Sequence, residues 1–140
     1  MADTAQLTGI LRTLGPDSRA RMRALVTDAA AEIAAQTGTQ IDVQLHASYP
    51  GVVNDDGASQ LVYDTAVHLL GEPNVAVLQQ PTLMTEDFGY YLSAAPGCFY
   101  HIGAGCTAPL HSPQFLPDIR AAITGAALHA AVLEGALGAE

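Results

Sequence analysis

The feature that most constrains this chain is a change of period within its first 50 residues. From residue 4 to 13 the side chains alternate, Ala5, Leu7, Gly9 and Leu11 on one face and Gln6, Thr8, Ile10 and Arg12 on the other. That period of two predicts a half-exposed strand. Leu14-Gly15-Pro16-Asp17 then turns the chain, with Pro16 suited to a helix's first turn. Met22, Leu25, Val26, Ala29, Ile33 and Ala34 recur at spacings of three and four, which predicts a helix over 16–36 with one stripe facing a core and Gly38 ending it. Alternation resumes over 41–49, with Ile41, Val43, Leu45, Ala47 and Tyr49 against Asp42, Gln44, His46 and Ser48. The pattern is β-α-β, a helix on one side of a sheet and an open polar face carrying Arg12, Gln44 and His46. Two strands are few for independent stability.

Pro50-Gly51 breaks the pattern, and a junction is expected between Pro50 and Asn54. Asn54, Asp55 and Asp56 are N-cap candidates for a helix with the stripe Ala58, Leu61, Val62, Ala66, Leu69 and Leu70, closing at Gly71. A short strand is expected over 74–78. Thr85 is placed to cap a helix reaching about residue 95, and the apolar run 98–102 reads as a buried strand. Gly103-Ala104-Gly105 and an irregular loop through His111 follow. A last helix over 116–137 shows Ile119, Ile123, Ala126, Ala130, Leu133 and Leu137 as its core stripe. The fold class expected is therefore α/β (α+β).

Charge narrows the partners. The five basic residues are all arginines; four arginines against Asp3 and Asp17 leave +2 in residues 1–23, and one arginine against twelve acids leaves −11 in the rest, for a net charge of −9. An acidic body repels phosphate chains and anionic membrane surfaces, so nucleic-acid and membrane partners are not expected. The uncharged stretch 121–133 is shorter than the roughly 20 apolar residues of a membrane span, and Met-Ala-Asp-Thr is no signal peptide. A cytoplasmic location is expected, with Cys98 and Cys106 kept as thiols.

Few residues suggest chemistry unaided. Cys98, His101, Cys106 and His111 have the gaps of a zinc knuckle with permuted ligands, but a strand over 98–102 points Cys98 and His101 to opposite faces. His111 sits in a loop after a Gly-rich strand end, where α/β sheets place ligands and catalytic groups; a solvated surface histidine is the commoner alternative. His68 and His129, mid-helix, read as partner-satisfied packing residues. Glu86 and Asp87 complement a helix start, and as neighbours they do not converge on one proton. Arg12 can clamp a carboxylate through its planar fork or pair with a surface acid. Ser59, Ser93 and Ser112 lack the elbow of a hydrolase nucleophile, and no phosphate loop is present.

Several segments occur together in order: Gly9-Ile10-Leu11-Arg12-Thr13, Val52-Val53-Asn54-Asp55, Thr85-Glu86-Asp87-Phe88, Pro96-Gly97-Cys98-Phe99, Ile102-Gly103-Ala104-Gly105 and Leu110-His111-Ser112-Pro113-Gln114-Phe115. This run resembles the C-terminal portion of the two-metal amidohydrolase and carboxypeptidase family that contains aminoacylase, hippurate hydrolase and the indole-acetyl-amino-acid hydrolases. The resemblance implies that residues 1–53 are part of a ferredoxin-like lid or dimerisation domain. It makes residues 54–140 the C-terminal segment of a metallopeptidase-like catalytic α/β domain. It implies His111 as a metal ligand, Arg12 as a holder of the substrate carboxylate, and Glu86 and Asp87 as residues supporting the site. Thr85 stands where a glycine usually precedes the Glu-Asp-Phe.

The reaction so implied is hydrolysis of the amide of an N-acyl amino acid by a metal-bound hydroxide, with zinc or another divalent metal as cofactor. The family's remaining metal ligands and its general-base glutamate have no counterpart motifs in this sequence. A catalytic zinc needs about three protein ligands and an open position. The expectation is a partial hydrolase that is inactive alone, has no catalytic residue of its own and holds metal weakly. It would self-associate or pair with a separate N-terminal half. The alternative is a non-catalytic, self-associating or carboxylate-binding remnant.

Overall fold

The computed structural model describes residues 3–84 and 86–138; Thr85, the expected helix cap, lies outside the described residues. The chain divides into two compact units, Met1–Val52 with Gln80–Tyr90, and Val53–Gln79 with Tyr91–Glu140. The helices follow the sequence closely. They are α1 (Pro16–Thr37), α2 (Asp56–Leu70) with a 3-10 turn at Glu72–Asn74, α3 (Phe88–Leu92) and α4 (Ile119–Leu137). Among the described residues there is no β-strand, so the strands expected over 4–13, 41–49, 74–78 and 98–102 are corrected to irregular segments. The alternation is genuine as sequence, but a strand is defined by a paired ladder; segments 41–49 and 98–102 find side chains and a helix in place of neighbouring strands, and Leu7, Ile10, Val77 and Leu78 of the other two are exposed.

In the first unit, α1 begins at Gly15, whose N–H donates to Ser18 Oγ (3.1 Å), with Pro16 in the first turn. It ends at Gly38 (φ 69°), whose N–H donates to Ala34 O. The half-buried positions are Arg19, Arg23, Val26, Ala30 and Ala34, while Met22, Leu25 and Ile33 of the expected stripe are exposed. The reason lies in the arginines. Arg19 Nη2 donates to Tyr49 O (2.5 Å) and Arg23 Nη2 to Leu45 O (3.1 Å), so two guanidinium groups one helical turn apart grip the segment that follows the helix. Tyr49 stacks edge-on to Tyr90 at 5.9 Å between centroids. Gly89 is buried, and a Cβ there would lie 2.6 Å from Pro50 O, so only glycine fits.

In the second unit, Asp55 caps α2 by accepting from Ala58 N (2.9 Å), and α2 packs on α4. Ala66 (6% exposed) and Leu128 (3%) are the buried residues of the two helices, and a methyl at Gly135 would sit 3.2 Å from Leu61 Cδ1. The segment 98–102 lies on α4 by its even-numbered side, Ile102 against Gly125 and Tyr100 against His129. The α4 face used is Ala121, Thr124, Gly125, Leu128, Ala131 and Val132, leaving the whole expected stripe from Ile119 to Leu137 exposed. This helix is apolar nearly all round, so periodicity could not say which stripe its neighbours would take. α3, expected to run from 85 to about 95, is confined to five residues, after which Ala94 and Ala95 both donate to Tyr91 O in a tightening turn.

Candidate functional site

In the second unit, His111 is carried on a loop whose ends are tied by Asp118 N–H donating to Ala104 O (2.8 Å). Gly105 (φ 62°) packs against Asp118, whose Cβ lies 3.4 Å from where a Gly105 Cβ would stand. Within the loop, Ser112 N–H donates to Pro109 O and Phe115 N–H to Ser112 O, both at 3.0 Å, which makes Leu110 and His111 the two central residues of a turn. Ser112 Oγ donates to Gln114 Oε1 (2.6 Å) and accepts from Gln114 N (3.2 Å). His111 has φ 67°, among the described residues the sole non-glycine with positive φ. That conformation costs an ordinary residue roughly 1–2 kcal/mol and is held by the turns on either side. The imidazole is exposed.

Asp118 is the hinge between this loop and α4. Its Oδ1 accepts from Arg120 N, capping the helix, while Oδ2 accepts from Arg120 Nε (2.8 Å) and Nη2. The arginine's side chain and backbone N–H hold the Asp118 carboxyl below its usual range, and the same pair raises Arg120.

Behind the loop, Asn54 does for segment 98–102 what a neighbouring strand would do. Its Oδ1 accepts from Phe99 N (2.9 Å), and its Nδ2 donates to Phe99 O (2.9 Å) and to Cys98 Sγ (3.4 Å). Asp55 N–H adds a bond to Gly97 O. Tyr100 Oη lies 2.9 Å from His129 Nδ1, which also lies 2.9 Å from Gly125 O. Burial pushes the Tyr100 phenol up, with the nearby Cys98 adding to the shift. His129 is thus exposed but satisfied, bonded to Tyr100 and packed against its ring at 5.4 Å between centroids, in keeping with the partner-satisfied histidine expected there, whereas His68 is exposed on α2.

In the first unit, Arg12 is exposed and its Nη1 donates to Leu83 O (2.5 Å), tying residue 12 to the segment that also carries Glu86 and Asp87. Glu86 Oε1 accepts from Asp87 N (3.0 Å), and Asp87 O accepts from Tyr90 N at the start of α3. The Glu86 carboxylate thus bonds the backbone just ahead of α3, while Asp87 contributes its backbone carbonyl there. Among the described residues no three His, Cys, Asp or Glu side chains converge to hold a metal, which disposes of the knuckle drawn from Cys98, His101, Cys106 and His111. Phe99 and His101 instead meet edge-on at 5.3 Å.

Sequence reasoning missed Asp118 and the pairing role of Asn54. Asn54 was visible as a cap candidate but Asp55 takes the cap; Asp118 was visible as the acid immediately before a long apolar helix, an N-cap signal.

The family profile described as Peptidase family M20/M25/M40 matches residues 5–135. The chain belongs to this family. It is 30% identical over 118 residues to the N-acetyldiaminopimelate deacetylase of Streptococcus suis (strain 05ZYH33), covering 84% of this chain and 31% of that protein. It is 29% identical over 141 residues to IAA-amino acid hydrolase ILR1-like 6 of Arabidopsis thaliana, covering 94% and 30%. Thermostable carboxypeptidase 1 of Saccharolobus solfataricus (strain ATCC 35092 / DSM 1617 / JCM 11322 / P2) is 28% identical over 134 residues, covering 91% and 33%. The chain spans about a third of the length of the curated relatives it matches. No solved structure matches it. M20 relatives are amidohydrolases and carboxypeptidases, generally metal-dependent, and no helix among this chain's described residues is long and apolar enough to cross a membrane.

Proposed function

We propose that this chain is the C-terminal share of an M20-type metal-dependent amidohydrolase acting on N-acyl amino acids, and that alone it does not turn substrate over. One observation carries the reading. The chain matches the family over residues 5–135, yet among its described residues no three ligand side chains converge. In this reading His111 offers one metal ligand from a rigid turn. Arg12 offers its remaining guanidinium N–H groups to the substrate carboxylate, while Glu86 and Asp87 shape the segment beside it. Residues 1–53 act as half of a lid and 54–140 as the return of the catalytic domain. The other ligands and the general base come from M20 sequence outside the span matched here, carried by the same or a separate polypeptide. The two thiols, neither in a disulfide, suit a reducing cytoplasm.

The test is hydrolysis of hippurate and N-acetyl amino acids by the purified chain supplied with zinc, cobalt or manganese. No turnover is expected, and weak metal uptake at dialysis equilibrium. Metal-dependent release of glycine from hippurate, lost in His111→Ala, overturns the claim of inactivity. A second reading, a carboxylate-binding remnant, is favoured by Arg12 being exposed with donors to spare. It predicts binding of an N-acyl amino acid without metal, abolished in Arg12→Ala.

A further inference from the structure

The loop that carries His111 leaves α4 and returns to it. Before the loop, Ile102 Cδ1 lies 3.0 Å from where a Cβ on Gly125 would stand; after it, the chain enters α4 at Asp118. Inside the loop the bonds are local: Cys106 Sγ lies 3.9 Å from Ala108 O, Ser112 N–H donates to Pro109 O, Phe115 N–H donates to Ser112 O, and Ser112 Oγ pairs with Gln114. Local turns fix the shape of such an excursion, and its direction is fixed where it joins the body. At that base Asp118 meets the other end of the loop twice. Its N–H donates to Ala104 O (2.8 Å), and its Cβ lies 3.4 Å from where a Gly105 Cβ would stand, Gly105 being left-handed at φ 62°. Arg120 holds Asp118 from the helix side, its backbone N–H donating to Oδ1 while Nε and Nη2 both donate to Oδ2. The Arg120 side chain is 85% exposed, so the pair adds little to stability; what it supplies is a fixed rotamer for Asp118.

We propose that Asp118, locked by Arg120, is the positioning residue for His111. It closes the loop at its base and, together with the local turns, fixes the direction in which residues 110 and 111 hold the imidazole. His111 sits at φ 67°, a conformation that a non-glycine residue keeps only while its surroundings impose it. Opening the base therefore lets His111 relax toward negative φ and swings its side chain, although Asp118 and the imidazole are seven residues apart in sequence. Capping α4 is a separate task, done by Oδ1 on Arg120 N, so clasp and cap can be separated by substitution. The purpose of this positioning rests on His111 being a metal ligand, as proposed above; the geometry of the clasp does not.

NMR of the full chain reads the turn directly, through the strong amide–Hα NOE that a positive φ produces within His111 and through amide exchange at Ser112 and Phe115. In Asp118→Ala the NOE should weaken and both exchange rates rise about tenfold, the worth of one lost hydrogen bond, with Ala66 in α2 and Leu128 in α4 unmoved. Gly105→Ala strains the clasp from the loop side and leaves the helix cap alone, so it should loosen the turn while exchange at Ala121 stays as in wild type. Asp118→Asn keeps the N–H and an acceptor for Arg120 N but loses the charge that holds the fork; it should recover part of the loss, and Arg120→Ala should match it. A His111 turn unchanged in Asp118→Ala overturns the assignment. So does a turn loosened there but intact in Gly105→Ala, which makes Asp118 a helix cap alone. Cobalt titration tests the purpose apart from the geometry: broadening of the His111 ring resonances is expected, with about tenfold more cobalt needed in Asp118→Ala. Equal requirements in the two chains overturn the clasp's part in holding metal. Broadening that spares His111 in the wild-type chain overturns its reading as a ligand, while the turn's response to Asp118→Ala and Gly105→Ala still decides the clasp.

Discussion

The two units hold their irregular segments by different chemistry. In the first, arginines reach across from α1 and from residue 12 and donate to carbonyl oxygens at Tyr49, Leu45 and Leu83. In the second, Asn54 offers both an acceptor and a donor to one residue, Phe99, and the segment then lies on α4 through Tyr100 and Ile102. A guanidinium can only donate, so it satisfies carbonyls and offers the segment's N–H groups no acceptor. A carboxamide reproduces both halves of a ladder rung. The second unit should therefore be the more protected, with slower amide exchange at Phe99 than at Leu45 or Tyr49.

The sharpest way to break that contrast is at Gly89, where the first unit depends on a close backbone approach. Gly89→Ala puts a Cβ 2.6 Å from Pro50 O and 3.1 Å from Gly51 O, and backbone cannot rotate aside as a side-chain tip can. A loss of about 2–3 kcal/mol is expected. It should appear as earlier exchange and proteolysis in residues 1–52, with α2 and α4 unaffected. Equal loosening of both units would dissolve the distinction between them.

Next in size is Asn54→Ala, which removes the two bonds that Asn54 makes to the Phe99 backbone. About 2 kcal/mol is expected, read by chemical denaturation of the second unit. Asn54→Asp keeps the acceptor for Phe99 N but turns the donor into an oxygen facing Phe99 O, so it should recover less than half. An Asp variant as stable as wild type would mean that the rung to Phe99 O contributes nothing.

These examples show what the sequence made legible. Helices α1, α2 and α4 were visible because caps and period are local: Pro16, Asp55, Gly38 and Gly71 act within one turn of where they stand. What was not legible was which neighbour each surface would take. α1 turned Arg19 and Arg23 inward and Met22, Leu25 and Ile33 outward. α4 buried Leu128 and exposed the stripe that period alone favoured. The alternating segments were legible as segments but not as strands, since a ladder is a property of two pieces of chain. The His111 loop was marked by its residues, whereas its clasp by Asp118 and Gly105 is a long-range contact that no spacing announces.

A smaller effect separates the candidate site from its scaffold. Because His111 sits at φ 67°, His111→Gly should be more stable than His111→Ala by about 1 kcal/mol, the cost of a Cβ in the left-handed region. Both remove the imidazole, so any metal the chain takes up should fall alike in the two. Equal stabilities would mean the turn is not held in that conformation in solution.

The smallest expected effects come from pH, and they fall in the second unit. The Asp118 carboxyl is held below its usual range in the folded chain, so its stabilisation is present above the ordinary carboxylate range and is lost as pH falls through it toward the depressed value. Its partner Arg120 being exposed, the loss should fray only the first turn of α4 and the clasp on Ala104. Tyr100 shifts the other way. A phenol raised in the folded state favours folding below its ordinary titration and loses that contribution as pH rises through and beyond it, when a phenolate must form against α4 beside Cys98. Amide exchange at Ala121 should therefore quicken in acid, and that at Tyr100 and His129 in alkali. Tyr100→Phe should remove the alkaline response and leave the acid one. An alkaline response that survives in Tyr100→Phe would assign it to another group.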